Sequence, residues 1–217
     1  MTYDEYERLF WRPYLLLEKE FSTTVKYIAI DPINFVAYSS MYAKIILQIG
    51  SEVDVTAKTL CREIDNSFSG DGINIYEKII ENRFTEFNRI EVSCGDIEIY
   101  PWAEWSSHSP FWWTAYNKIK HNRTEEIEIR GVKQECYKFA NQEIALNALA
   151  GLFQLEQYIF RLIEHDPHLE TPIPGSRLFK LKGKEWDNKR FEQDIFFFTN
   201  DEGCLCSLSS DVSYADM

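Results

Sequence analysis

No run of about 18 or more uncharged apolar residues occurs in this chain, so no segment reads as a membrane-spanning helix and no membrane partner is expected. The N-terminus, Met1 to Arg12, is acidic and amphipathic and has no apolar leader core. Only 9 glycines are present, and none of them builds a phosphate-binding loop, a dinucleotide fingerprint or a nucleophile elbow. Histidines number 4 and show no paired metal-binding spacing; His108, His165 and His168 stand alone beside loops or prolines and read as ordinary surface residues. Five scattered cysteines, an odd number, suit reduced thiols better than a disulfide framework. Cys204-x-Cys206 has the wrong spacing for a zinc knuckle and no second pair nearby, so neither metal nor cofactor is expected. Positive charge is the scarcer sign, 23 Lys and Arg against 35 Asp and Glu. The net charge of -12 argues against a generic nucleic-acid coat, whose affinity comes from cations displacing counterions. A soluble, cytoplasmic protein is the resulting expectation.

What is present is apolar and aromatic. At 45% hydrophobic residues, 217 residues suffice for one sizeable core, and one domain with an appendage is expected rather than two independent domains. Apolar residues from Tyr6 to Leu17 follow a helical period that Pro13 interrupts, which predicts a short helix, a kink, and a restart running from Leu15 to Ile28. From Ser39 to Asp65 the series Met41, Ile45, Ile49, Val53, Leu60, Ile64 marks one helical stripe. Asp54 and Lys58 read as a surface pair across one turn, whereas Glu52, at the stripe's margin, is placed to reach a cation inside the bundle. A loop at Asn66 to Gly72 precedes a shorter helix, Ile75 to Phe84. Alternation of Ile90, Val92, Ile97 and Ile99 around Cys94-Gly95-Asp96 predicts a hairpin within 89–100.

Ser109-Pro110 suits a helix start, with serine as cap and proline in the first turn, for a helix Phe111 to Asn122. The charged stretch Arg123 to Gln134 reads as a loop or frayed turn. Cys136 to Glu164 is apolar nearly all round, and its small-residue centre, Ala145 to Gly151, admits a close helix from the same chain or from a second subunit. The expected architecture is mainly α: a bundle of four or more helices over 1–165 with its small hairpin. Residues 166–217 then form a proline-rich linker and a tail with strands near Leu178 to Leu181 and Ile195 to Phe198. That tail is placed to extend the hairpin near residue 95 or to lie across a partner, and its last dozen residues read as disordered.

One stretch concentrates polar chemistry beside this core. Lys118, Lys120 and Arg123 surround His121 without an intervening acid, and Asn117 lies one turn before the histidine on the same helical face. Imidazole titrates near neutrality and serves as general acid or base, while flanking cations stabilise an anion, most naturally a phosphate. The same spacing also fits a plain helix end whose cations face the negative pole of the helix dipole, with Asn117 bonded locally.

Several helices with a polar motif just ahead of the final long one resemble the HEPN superfamily (higher eukaryotes and prokaryotes nucleotide-binding). Its members are often metal-independent endoribonucleases of toxin-antitoxin and anti-phage systems. In Tyr116-Asn117-Lys118-Ile119-Lys120-His121 the asparagine and histidine are in the family's register, and Tyr116 stands where the family has arginine. The resemblance implies His121 as acid or base, Asn117 as its orienter, and Arg123 with Lys120 in place of the missing guanidinium. Lys118 and Tyr116 complete the substrate-binding set. It also implies RNA or nucleotide as ligand, a homodimer with a composite site, and an antitoxin or defence-system partner. A non-catalytic, dimeric helical interaction module is the alternative.

Overall fold

The computed structural model describes residues 1–164, 171–183, 186, 196–199 and 205–208. Two compact units are present, Met1–Leu181 and Lys182–Met217. The first is mainly helical; the strands described wholly within the second, β6 and β7 below, form one antiparallel hairpin.

The chain opens with a capping box, in which the Thr2 hydroxyl accepts from the Glu5 N–H and the Glu5 carboxylate accepts from the Thr2 N–H. Helix α1 (Tyr3–Tyr6) widens into a π-helical segment, Glu7–Trp11, and continues as α2 (Arg12–Thr24). The expected interruption at Pro13 therefore takes the form of a wide turn directly ahead of the proline. Proline cannot donate and its ring crowds the preceding turn, and a π-turn absorbs both within one continuous helix. The helix stops at Thr24, short of the expected Ile28, where Thr23, Thr24 and Val25 bring consecutive β-branched side chains and the Thr24 hydroxyl turns back to the Phe21 carbonyl.

Helix α3 (Ser40–Ile64) is capped by the Ser39 hydroxyl, which accepts from the Tyr42 N–H at 3.1 Å. Helix α4 (Ile73–Arg83) follows the predicted loop. The predicted hairpin is β1 (Glu91–Cys94) with β2 (Ile97–Ile99), turning through Gly95 at φ 58. Helix α5 (Phe111–His121) leads to a second hairpin, β3 (Glu126–Ile129) with β4 (Val132–Glu135), where a loop was expected. The turn between them is Arg130-Gly131, both with positive φ (51 and 76), the backbone of a two-residue hairpin turn matched to strand twist. Ile127 and Ile129 point inward on alternate positions, a period that the surrounding charges hide in the sequence.

Helix α6 (Gln142–Ile163) begins later than the apolar run does, after a 3₁₀ turn at Cys136–Phe139, because the Asn141 side chain caps it by accepting from the Ile144 N–H. It is the central helix, packed chiefly on α3 and also against α2 and α5. Its small-residue centre is filled within the chain. A Cβ on Gly151 would fall 2.9 Å from the Trp112 ring and 3.4 Å from Trp102, and the Gly151 carbonyl accepts from the Trp102 indole at 3.2 Å. The close neighbour at Gly151 is a tryptophan cluster within the chain, and its Trp112 is carried by helix α5.

Residues 171–181 return to the bundle. The Trp11 indole donates to the Pro174 carbonyl at 2.9 Å, Phe179 packs on Phe153, and β5 (Lys180–Lys182) joins β1 to make a sheet of order β2-β1-β5. Strand β5 therefore extends the hairpin, one of the two placements that the sequence leaves open. Strands β6 (Phe196–Thr199) and β7 (Leu205–Leu208) pair antiparallel, Phe196 opposite Leu208 and Thr199 opposite Leu205. Of the last dozen residues, 206–208 lie in β7, whereas 209–217 lie outside the described residues, as do His165, Pro167, His168, Ile195 and Cys204. Cys61, Cys94 and Cys136 are free and buried, in keeping with reduced thiols. Among the described residues no helix is long and apolar enough to cross a membrane.

Candidate functional site

Helix α5 divides by its own period into an inner and an outer face. Trp112, Trp113, Ala115, Tyr116 and Ile119 are buried, while Lys118, Lys120 and His121 are exposed and Asn117 is half-buried. The start is built differently from the expectation. Pro110 occupies the cap position with no side-chain cap bond, and the Ser109 hydroxyl donates instead to Asn74 at 3.1 Å.

The polar residues then separate by role. Tyr116 lies inward against Gly50 of α3, and the Lys120 ammonium sits 5.6 Å from its ring centroid, a cation over an aromatic face. The Asn117 amide donates to the Trp113 carbonyl one turn back, at 3.2 Å. Arg123, just past the helix end, donates from Nε to the Ile119 carbonyl at 2.9 Å, which satisfies one of the free carbonyls of the last turn. His121 is exposed, with no hydrogen-bond partner among the described residues. Lys118, Lys120, His121 and Arg123 therefore share the open C-terminal end of one helix, but Asn117 and His121 are not joined. Behind this end lies Cys136, whose thiol burial pushes up in pKa, with Lys118 and Arg123 pulling the other way. Beside Cys136, Tyr137 donates to Ser40 and packs edge-on to the exposed Tyr38.

Two charged residues of α3 behave otherwise than expected. Lys58 pairs with Asp71 at 3.1 Å, across the loop, rather than with Asp54. Glu52 is half-buried and forms no ion pair among the described residues, and its charge helps to raise the pKa of Glu156 in α6. His108 is exposed and bonded to Ser107, as a surface histidine should be.

Glu156 is the most perturbed carboxyl among the described residues. It is 1% exposed, Oε1 accepts from the Thr56 hydroxyl at 3.2 Å, and Oε2 has no partner there. Its pKa is raised to about 8, chiefly by burial and further by the Glu52 charge, against the lowering effect of Thr56 and Tyr6. The signal in the sequence is the one acid between Ile144 and Ile163, a stretch that is mainly apolar. Glu18 is equally buried but satisfied, accepting from the Tyr14 and Ser176 hydroxyls, each at 2.6 Å, and from the Arg177 N–H at 2.7 Å. Arg130 is the third residue that the sequence reading passes over. It borders a cleft of about 280 Å³ between β2, the start of α5 and α6.

No family model, curated protein or solved structure matches the chain. Among the described residues no group of three or more His, Cys, Asp or Glu is placed to hold a metal ion.

Proposed function

We propose that the protein is a HEPN-like RNA-binding protein whose contact surface is the C-terminal end of α5. The observation that carries this reading is the exposure, side by side, of Lys118, Lys120, His121 and Arg123 on a chain whose net charge is -12. Phosphate contacts supply most non-specific affinity, and three such cations predict a log–log salt slope of about -2 on single-stranded RNA. His121 is the candidate acid or base for metal-independent cleavage, with cations from a second copy standing in for the arginine that Tyr116 replaces. A toxin-antitoxin or anti-phage setting follows from the family resemblance.

A second reading, a non-catalytic dimeric interaction module, is favoured by two contacts: Tyr116 is committed to Gly50, and Asn117 to its own helix. The test is fluorescence anisotropy with labelled mixed RNA in chelator, followed by gel analysis for cleavage, using wild type, Lys118→Glu/Lys120→Glu and His121→Ala. RNA binding that the double variant loses by about tenfold, with the predicted slope, supports the RNA reading. Cleavage abolished by His121→Ala extends it to an enzyme. No binding at high protein concentration leaves the interaction module.

A further inference from the structure

The cleft bordered by Arg130 already contains a guanidinium group. The Arg130 side chain lies 4.7 Å from the Phe111 ring centroid, with Nη1 3.5 Å from Glu143 and Nε 3.8 Å from Glu104. An aromatic face with two carboxylates is the environment that recognises a planar cation. The cleft holds more acid than Arg130 answers, because Glu98 also lines it, giving three carboxylates against one guanidinium. The Arg130 side chain is still 55% exposed, and both ion pairs are long, so the internal cation is loosely held. The third wall is a strand edge. Ile97, Glu98 and Ile99 of β2 line the cleft, and in the order β2-β1-β5 the outer edge of β2 is unpaired among the described residues. Such an edge offers free N–H and C=O groups to an incoming extended chain.

We propose that this cleft binds an arginine side chain carried on an extended segment of another protein, its backbone lying along the outer edge of β2. Arg130 holds the place of that arginine until the partner displaces it. Charge complementarity points the same way, since a chain of net charge -12 attracts a basic segment. The proposal is independent of the RNA reading, which concerns the opposite end of α5.

The experiment measures anisotropy of a fluorescein-labelled heptapeptide with one central arginine and valine–threonine flanks. Its controls are the same peptide with citrulline, which keeps the shape and loses the charge, and free agmatine as competitor. Arg130→Gly removes the internal competitor, and glycine adopts φ 51 without strain, so the turn is preserved. Arg130→Asn, also tolerant of positive φ, should behave alike and guards against a folding artefact. Binding should tighten about tenfold in both variants. Glu104→Gln/Glu143→Gln should weaken it at least tenfold, and citrulline should abolish it. Equal binding of the citrulline peptide, or no gain in the Arg130 variants, overturns the proposal. So does agmatine competing as strongly per mole as the peptide, because the strand edge would then contribute nothing.

Discussion

Tyr116 of α5 lies against Gly50 of α3 so closely that a Cβ on Gly50 would fall 2.6 Å from the ring Cγ and nearer still to Cδ2 and Cε2. The glycine in mid-helix, which costs roughly 1 kcal/mol in propensity, is explained by the ring it admits. Gly50→Ala regains that propensity but overpacks the seam, a loss of about 1–3 kcal/mol that exceeds the gain on average. Urea denaturation should therefore show a net loss of about 1 kcal/mol, within a range of about 0–2 kcal/mol. Tyr116→Val should lessen the effect of Gly50→Ala, and strictly additive losses would refute the contact.

The Glu156 carboxyl makes stability depend on pH in an unusual direction. Its pKa in the fold is about 8, above that of an exposed glutamate, so between roughly pH 4.5 and 8 the folded state holds a proton that the unfolded state has released. This group's contribution is fully present below pH 4.5 and is lost as pH rises to 8, at up to about 1.4 kcal/mol per unit. Glu156→Gln keeps an acceptor for Thr56 and carries no charge. It should flatten this stretch of the profile and be more stable than wild type at pH 8. Parallel pH profiles of wild type and variant would refute the assignment.

Glu18 fastens residues 176 and 177 to α2 through two short hydrogen bonds, from the Ser176 hydroxyl at 2.6 Å and the Arg177 N–H at 2.7 Å. Glu18→Ala strands the Ser176 hydroxyl and the Arg177 N–H, and a loss of about 3 kcal/mol is expected. Glu18→Gln should lose less. Hydrogen exchange should quicken at residues 176–181 in the alanine variant before it does in α6; uniform acceleration would contradict a local clamp.

Asn117 and Lys118 are adjacent in sequence yet opposed in consequence. Because the Asn117 amide is bonded within its helix, Asn117→Ala should leave RNA binding within about twofold of wild type, whereas Lys118→Glu should weaken it several-fold. A large loss in Asn117→Ala would restore the asparagine to a ligand-facing role.

Much of the helical frame is legible in the sequence because burial imposes a period. The stripe from Ile45 to Leu60 and the apolar run of α6 announce themselves, although Met41, at 43% exposure, lies off the buried face, and Cys94-Gly95-Asp96 marks its hairpin. The β3–β4 hairpin is not legible, because only Ile127 and Ile129 face inward and their neighbours are charged on both sides. Nor does position in the chain disclose partners: Lys58 lies one turn from Asp54 and bonds to Asp71 across a loop. The polar end of α5 is visible from residue types alone. Whether Asn117 meets His121 depends on a rotamer, and a local carbonyl captures the amide first.

The tryptophans gathered over Gly151 have an optical consequence. The ring centroids of Trp102 and Trp105 are 4.2 Å apart, those of Trp102 and Trp112 are 5.1 Å apart, and Trp113 follows Trp112 at 6.0 Å. Transition dipoles this close exchange excitation and give a coupled band in the near-ultraviolet circular dichroism. The chain thus carries an intrinsic reporter of the seam between α5 and α6, one that reads the join at the N-terminal turn of α5 without any label.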